Sequence, residues 1–339
     1  MGSMFISRTV IAVAWLVALL PAVTVAQTAQ QWLLKMESSA TDLTYQGVLV
    51  YSQGARMETL QVYHTVIDGV QRERLVHLTG EPREIIRNGD KVICVHPKSG
   101  VMRLDTDVPA GPFARNYAAR LRELDEPYSV KVGGDDRVAG RPVVMLEVSP
   151  KDDYRYGFRL ALDSDSGLLL QSLMVDHKGR VLERFEYTAI EIGGEIAAEQ
   201  LAPRFDQDRD RLSVVDIHTG LPLEAAAGDS SPAEQHSQWR VTWMPAGFAM
   251  SAAASGGGQP VGPETGEEDS MMYSDGLTAF SVFVARDVDM SELSAQSGAT
   301  VAVSTVKKDQ QGLYSVTVVG EIPRVAAQKI ASSVQRVSQ

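Results

Sequence analysis

Cysteine is all but missing from this chain: Cys94 is the only one in 339 residues, so an intramolecular disulfide framework is excluded. Cys94 lies in the strand-like apolar run 91–96, where it reads as a small buried hydrophobe; an intermolecular bridge or a reactive thiol stays open. The histidines, at 64, 77, 96, 177, 218 and 236, form no pair at i, i+2 or i, i+4 and no HExxH, which argues against a zinc site. There is no GxSxG, and no GxGxxG or Walker A loop follows a strand, so a nucleophile elbow and the common phosphate cradles are absent. Asp206, Asp208 and Asp210 alternate, but Arg211 stands where a calcium loop needs glycine. A basic excess is lacking too: 32 Lys and Arg against 43 Asp and Glu give −11, which is unsuited to neutralising nucleic-acid phosphates. No repeat with a period of about 20 to 50 residues is visible. These absences together predict a protein that is not an enzyme, with no cofactor, no metal and no nucleic-acid partner.

What is present begins with an export leader. Arg8 precedes an apolar run over 10–20, Pro21 closes it, and Thr24, Val25 and Ala26 offer small or modest side chains for signal peptidase, so cleavage is expected after Ala26. The run is shorter than the roughly 20 residues of a bilayer span, which makes a retained anchor the weaker reading. The remaining 313 residues suffice for two domains.

Beyond the leader, Thr28 to Gln31 form a capping-box pattern, and Trp32, Leu33 and Met36 follow at helical spacing. Short β-rich runs fill the next stretch: 45–51, 59–66, 72–78, 83–87, 91–96, 128–132, 142–148, 156–162, 168–175 and 181–192. Turn residues such as Asp68-Gly69 and Asn88-Gly89 separate them, the signature of an antiparallel meander. A helix with Phe113, Tyr117 and Leu121 on one side interrupts the series, suggesting a filled concavity. Residues 206–236 hold two basic and seven acidic side chains among Ala, Gly, Ser and Pro and read as a flexible linker. A second module over 237–339 carries a low-complexity loop at 251–269. Strand runs follow at 276–284, 299–307 and 313–319, and a closing helix from Pro323 has Val325, Ala326, Ile330, Val334 and Val337 as its stripe. The expected fold is α+β: a large curved antiparallel sheet wrapped around helices over 27–205, and a smaller α+β domain after the linker.

Binding has more support than chemistry. Alternate side chains of a curved sheet can line a cleft for an apolar ligand, and the candidate liners are Trp32, Met36, Val48, Val50, Leu60, Val62, Phe113, Tyr117, Leu160, Leu169 and Phe185. The alternative is that these residues simply fill the core. Trp239, Trp243, Phe248, Tyr273 and Phe280 face the same choice between a partner-binding surface and a small domain's interior. Arg83, Glu84 and Arg87 read as a solvated rim or as cross-strand pairs.

Certain motifs carry a resemblance. Tyr45-x-Gly47-x-Leu49-Val50-Tyr51, Glu58-x-Leu60-x-Val62-x-His64, Glu73-Arg74-Leu75, Arg83-Glu84-Ile85-Ile86-Arg87 and Phe158-Arg159-Leu160-Ala161-Leu162-Asp163 occur in order in the first domain. Trp239-Arg240-Val241-Thr242-Trp243-Met244-Pro245-Ala246-Gly247-Phe248, Tyr273-Ser274-Asp275-Gly276-Leu277 and Val319-Gly320-Glu321-Ile322-Pro323 extend them through the second. The chain resembles the RseB/MucB family over most of 30–205 and 237–337. The resemblance implies a periplasmic negative regulator of an extracytoplasmic-function sigma factor. Such a protein binds the periplasmic domain of an RseA/MucA-type anti-sigma factor and shields it from the site-1 protease until lipid or lipopolysaccharide signals release it. It also implies a first domain similar to the lipoprotein carriers LolA and LolB, so a periplasmic lipid or lipoprotein carrier is the alternative function. An acyl-chain or lipopolysaccharide ligand and a homodimer are further partners to test.

Overall fold

Thr28 takes extended backbone and its hydroxyl accepts the Gln31 N–H, while the Gln31 side chain accepts the Thr28 N–H, so the capping box forms and starts helix α1 (Ala29–Asp42). Trp32, Leu33, Met36 and Ala40 are buried on one face of it. The computed structural model describes residues 27–89, 91–96, 100–104, 126–204, 238–254, 268–286 and 292–337. The leader, the helix expected around Phe113 and Tyr117, and the linker at 206–236 lie outside the described residues. Among the described residues no helix is long and apolar enough to cross a membrane.

Eleven strands follow: β1 (Tyr45–Gln53), β2 (Arg56–Ile67), β3 (Val70–His77), β4 (Glu84–Asn88), β5 (Lys91–His96), β6 (Gly100–Leu104), β7 (Tyr128–Val138), β8 (Arg141–Pro150), β9 (Gly157–Asp163), β10 (Leu169–Val175) and β11 (Val181–Ile192). They form one antiparallel sheet in the order β6-β5-β4-β3-β2-β1-β11-β10-β9-β8-β7. Two meanders are thus joined back to back by the β1–β11 pairing. The sheet curls, because β7 comes near β11 across three intervening strands, and α1 reaches both β2 and β7. The large curved antiparallel sheet expected from the sequence is what the chain forms, and it is open. It has one strand more than the runs suggested, because β6 falls in a stretch that shows no strand run in the sequence. Asp68 and Gly69, both with positive φ, make the tight β2–β3 hairpin.

Strand parity departs from the expectation at one place. Tyr45, Gly47 and Leu49 face inward on β1, opposite His64, Val62 and Leu60 on β2. Val48 and Val50 therefore point to the other face and do not line the interior with Leu60 and Val62. The cause is Gly47, where a Cβ would meet the Ala189 carbonyl at 2.5 Å and the Tyr187 ring at 3.0 Å. An aromatic ring occupies that inward place, so the apolar residues of β1 fall partly on the wrong parity.

The outer face holds a buried ion pair. Arg74 and Glu84, at 2.8 Å, are almost fully buried, and the short helix α2 (Ala198–Leu201) seals them: the Gln200 carbonyl accepts from Arg74 and the Arg204 N–H donates to Glu84. Of the two readings of Arg83, Glu84 and Arg87, the cross-strand pair holds for Glu84, which meets Arg74 on the neighbouring strand, while the burial of Glu84 and Arg87 overturns the solvated rim.

The second domain contains β12 (Trp239–Val241), β13 (Ala249–Ala254), β14 (Glu268–Ser274), β15 (Ala279–Arg286), β16 (Leu293–Ser297), β17 (Thr300–Asp309), β18 (Gly312–Gly320), α3 (Arg324–Ser333) and β19 (Val334–Arg336). Six strands form a sheet in the order β13-β14-β15-β18-β17-β16, and β12 pairs with β19. Helix α3 lays Ala326, Ala327, Ile330 and Ala331 against β17 and β18. It ends at Ser333 because Val334 and Arg336 pair with Val241 and Trp239. Val337 is therefore not helical, and both it and Val325 are exposed, so the apolar stripe is narrower than its spacing suggests. Strands β13 and β14 also claim both ends of the stretch that reads as a loop at 251–269.

Candidate interdomain site

The β1–β2 turn of the first domain meets the β16–β17 turn of the second. Gly54 and Gly298 both have φ +58, and a Cβ on Gly298 would lie 2.8 Å from the Gly54 nitrogen and 3.0 Å from the Leu182 carbonyl. Only residues without a side chain let the two backbones come this close. Beside them the Gln53 amide donates to Thr300 Oγ1 at 3.0 Å and to Glu183 Oε1 at 2.7 Å.

A second set of contacts comes from the β8–β9 connection, which carries Tyr154, Arg155 and Tyr156. Arg155 Nη1 is 3.1 Å from Asp275 Oδ2, and both side chains have no exposed surface. Arg155 also donates to the Ala246 carbonyl at 2.6 Å and pairs with Asp152 at 3.1 Å, and its guanidinium stands over the Tyr128 and Phe248 rings. The Tyr128 hydroxyl donates to the same Asp275 oxygen at 3.3 Å, and burial first, then the Asp275 charge, raises that phenol. The other Asp275 oxygen accepts the Leu277 and Thr278 N–H groups, so the turn after β14 presents the carboxylate to Arg155. The Tyr156 hydroxyl donates to the Ile322 carbonyl at 3.2 Å; burial, then Asp176, pushes it up to about 12. At the rim, Tyr154 meets Trp243 edge-on at 4.9 Å while Lys329 Nζ sits 3.9 Å over the Trp243 ring.

Leu277 and Ala299 of the second domain are buried in the first domain's core. Between the domains lies a cavity of about 40 Å³ lined by Tyr51, Phe158, Ser172, Met174, Glu183, Arg184, Phe185, Leu277 and Glu321. Burial, then the Glu183 charge, pushes the Glu321 carboxyl up to about 7. Burial also raises Glu183, against hydrogen bonds from Gln53, Tyr51 and the Ala299 backbone. Among the described residues no group of three or more His, Cys, Asp or Glu could hold a metal ion.

The structure sorts the predicted site residues unequally. Trp32, Met36, Leu60, Val62, Leu160, Leu169 and Phe185 come together in one buried cluster, and of these only Phe185 lines the interdomain cavity. Phe113 and Tyr117 lie outside the described residues. Trp239, Phe248, Tyr273 and Phe280 are core of the second domain: Trp239 packs on Tyr314, and Phe280 on Phe248 and Tyr273. Trp243 alone of that group is half-buried, at the domain boundary. Arg155, Asp275, Glu183 and Glu321 were not foreseen, yet a signal was present. Ala246, Asp275, Leu277, Glu321 and Ile322 all belong to the three distal motifs, and those motifs converge on the surface that faces the first domain.

Comparison with known proteins places this two-domain design. Sequence profiles described as the MucB/RseB N-terminal domain and the MucB/RseB C-terminal domain match residues 28–205 and 233–335. The chain belongs to the MucB/RseB family. It is 32% identical over 315 residues, 92% of each chain, to the sigma factor AlgU regulatory protein MucB of Pseudomonas aeruginosa. It is 28% identical over 312 residues, 91% of each chain, to the sigma-E factor regulatory protein RseB of Haemophilus influenzae. Among solved structures, the MucA/MucB complex of P. aeruginosa agrees with a TM-score of 0.72 at 30% identity, over 92% of this chain and 99% of that one. A crystal structure of MucB with MucA(peri) gives the same TM-score at 31% identity, over 92% and 100%. A crystal structure of MucB agrees at 0.57, at 29% identity over 91% and 98%. At near-equal coverage and identity, the arrangement of this MucB/RseB-family chain lies nearer to the structures that contain MucA.

Proposed function

We propose that this protein is a periplasmic negative regulator of an extracytoplasmic-function sigma factor, exported through its leader and released near Ala26. It binds the periplasmic domain of an RseA/MucA-type anti-sigma factor and hides its cleavable region from the site-1 protease. The observation that carries this reading is the end-to-end likeness to MucB, domains and domain arrangement together, at a TM-score of 0.72 with the two MucA-containing structures. The action is occlusion: a partner segment held on the protein is withdrawn from the protease in proportion to the bound fraction.

Release follows by linkage. A lipopolysaccharide-type or acyl ligand that prefers the unbound conformation lowers partner affinity by its coupling energy, typically about 1 to 3 kcal/mol. Such a ligand would have to part the inner face of the curled sheet, because Trp32, Met36, Leu60, Val62, Leu160, Leu169 and Phe185 pack there as one buried apolar cluster. A pure lipid or lipoprotein carrier would need only the first domain, whereas here the second is docked on it through buried polar contacts. A disulfide-linked homodimer has little support, because Cys94 is half-buried and burial pushes its thiol up, Arg83 opposing.

Protease protection tests the proposal. Mature residues 27–339 mixed with the anti-sigma periplasmic domain and the site-1 protease should slow cleavage, and lipopolysaccharide fragments should restore it. No protection by a folded protein that retains acyl chains would favour the carrier.

A further inference from the structure

Two carboxyl groups from different domains face one small cavity, and among the described residues Arg184 is the one basic side chain in its lining. Glu183 on β11 is 5% exposed; it accepts the Gln53 amide at 2.7 Å and the Tyr51 hydroxyl at 3.2 Å, and the Ala299 N–H reaches it from the second domain. Glu321 follows β18 and opens onto the same space of about 40 Å³, whose other walls include Phe158, Met174, Phe185 and Leu277. The charged and titratable groups around it are few. Arg184 lines the cavity but is 42% exposed and paired with Glu186 at 2.5 Å. Tyr51 is a phenol that burial, then Glu183, keeps protonated, and Arg324 at the start of α3 is exposed and acts on Tyr156. Two ionised carboxylates against an apolar wall repel each other and lose hydration, whereas one proton removes both penalties.

We propose that Glu183 and Glu321 form a proton-operated latch between the two domains: protonation holds them closed on each other, and ionisation of both carboxyls eases them apart. The sign follows from where the proton binds. In the closed arrangement Glu321 is pushed up to about 7, by burial first and Glu183 second; once the domains part it regains water and returns towards the ordinary 4.5. A carboxyl raised in the closed state contributes fully below its open-state value, and the contribution is lost as pH rises through the closed-state value. The latch therefore weakens between about pH 4.5 and 7, and across that window the closing constant falls on the order of a hundredfold. It needs no partner and acts on the arrangement of the free chain.

Spin labels test it in the mature chain of residues 27–339, carrying Cys94→Ala and cysteines at the exposed positions Leu78 and Leu313. Electron–electron double resonance then reads the closed fraction from pH 5 to 8. The closed population should fall with rising pH in the parent and stay flat in Glu321→Gln. A closed fraction that ignores pH in the parent, or an equal pH response in Glu321→Gln, overturns the latch. Should Glu321→Gln fail to fold, Glu183→Gln is read instead by the carboxyl carbon resonance of Glu321. The expected result is a titration midpoint moved down from the parent's, and an unmoved midpoint overturns the coupling.

Discussion

Arg155 and Asp275 sit 120 residues apart and in different domains, yet their side chains meet at 3.1 Å with no solvent-exposed surface on either. Each was withdrawn from water on the strength of the other, so the pair ties the domains together through the cost of separating them. Removing one partner leaves a buried charge alone, which typically costs about 3 to 5 kcal/mol, whereas replacing both by apolar groups is often near neutral. Arg155→Met should thus lower the urea midpoint sharply, and adding Asp275→Leu should recover part of the loss. The recovery stays partial, because Asp275 also accepts the Leu277 and Thr278 N–H groups. Equilibrium unfolding of the two single variants and the double variant checks the cycle.

The close approach of Gly54 and Gly298 makes a second prediction. Alanine at 298 would combine a left-handed backbone with a Cβ 2.8 Å from the Gly54 nitrogen, where strain alone is of order 1 to 3 kcal/mol. Gly69 is the control, having φ +75 but nothing within 4 Å of its would-be Cβ. Gly298→Ala should speed hydrogen exchange at the Thr300 and Glu183 ends of the contact, while Gly69→Ala should leave them unchanged.

Much of this architecture was legible in the sequence, and the reasons for the rest are specific. The capping box at Thr28, the runs 91–96 and 181–192 and the hairpin at Asp68-Gly69 are local signals, and each formed as read. Val48 and Val50 misled because Gly47 cedes its inward place to the Tyr187 ring, a partner 140 residues away that no local pattern announces. The linker at 206–236 reads as flexible from its composition, but the pairing of Arg155 with Asp275 across the domains is a long-range contact that composition cannot encode. The aromatic residues of the second domain were visible as a group. That Trp239 packs on Tyr314 while Trp243 reaches the domain boundary depends on the β12–β19 pairing.

Acid should weaken the first domain through Asp163. Its side chain is fully buried, and burial alone would raise it. Hydrogen bonds from Arg141 at 2.5 Å and from the Ser166 N–H and hydroxyl outweigh burial and hold it below the ordinary Asp range. A carboxyl depressed in the folded state contributes above its unfolded value and loses that contribution as pH falls through the folded value. The turn it braces docks α1, since Lys35 and Ser39 donate to the Ser164 and Ser166 carbonyls. Asp163→Asn should cost about 1 to 3 kcal/mol near neutral pH and flatten the loss of urea stability below about pH 4.

The two neighbouring tryptophans should separate core from boundary. Trp239 is 5% exposed, so Trp239→Ala should cost about 3 to 5 kcal/mol and unfold the second domain at markedly lower denaturant. Trp243→Ala removes an edge contact to Tyr154 and a cation over its ring, together worth about 1 to 2 kcal/mol. It should leave both domains folded while weakening binding to the anti-sigma periplasmic domain in a titration. Equal destabilisation by the two substitutions would place Trp243 in the core instead.

Strand parity on β1 gives the sharpest test of which face of the sheet is interior. Leu49 is fully buried opposite Leu60 and Tyr187, whereas Val48 and Val50 lie half-buried on the other face, beside Gln61 and Thr59. Leu49→Ala should cost about 2 to 5 kcal/mol through lost burial and the cavity it leaves. Val48→Thr should change stability by no more than about 0.5 kcal/mol, as expected away from the core. If an acyl ligand occupies the inner face, Leu49→Ala should also alter its retention, while Val48→Thr should not. A large loss from Val48→Thr with little from Leu49→Ala would reverse the face on which ligand and core are sought.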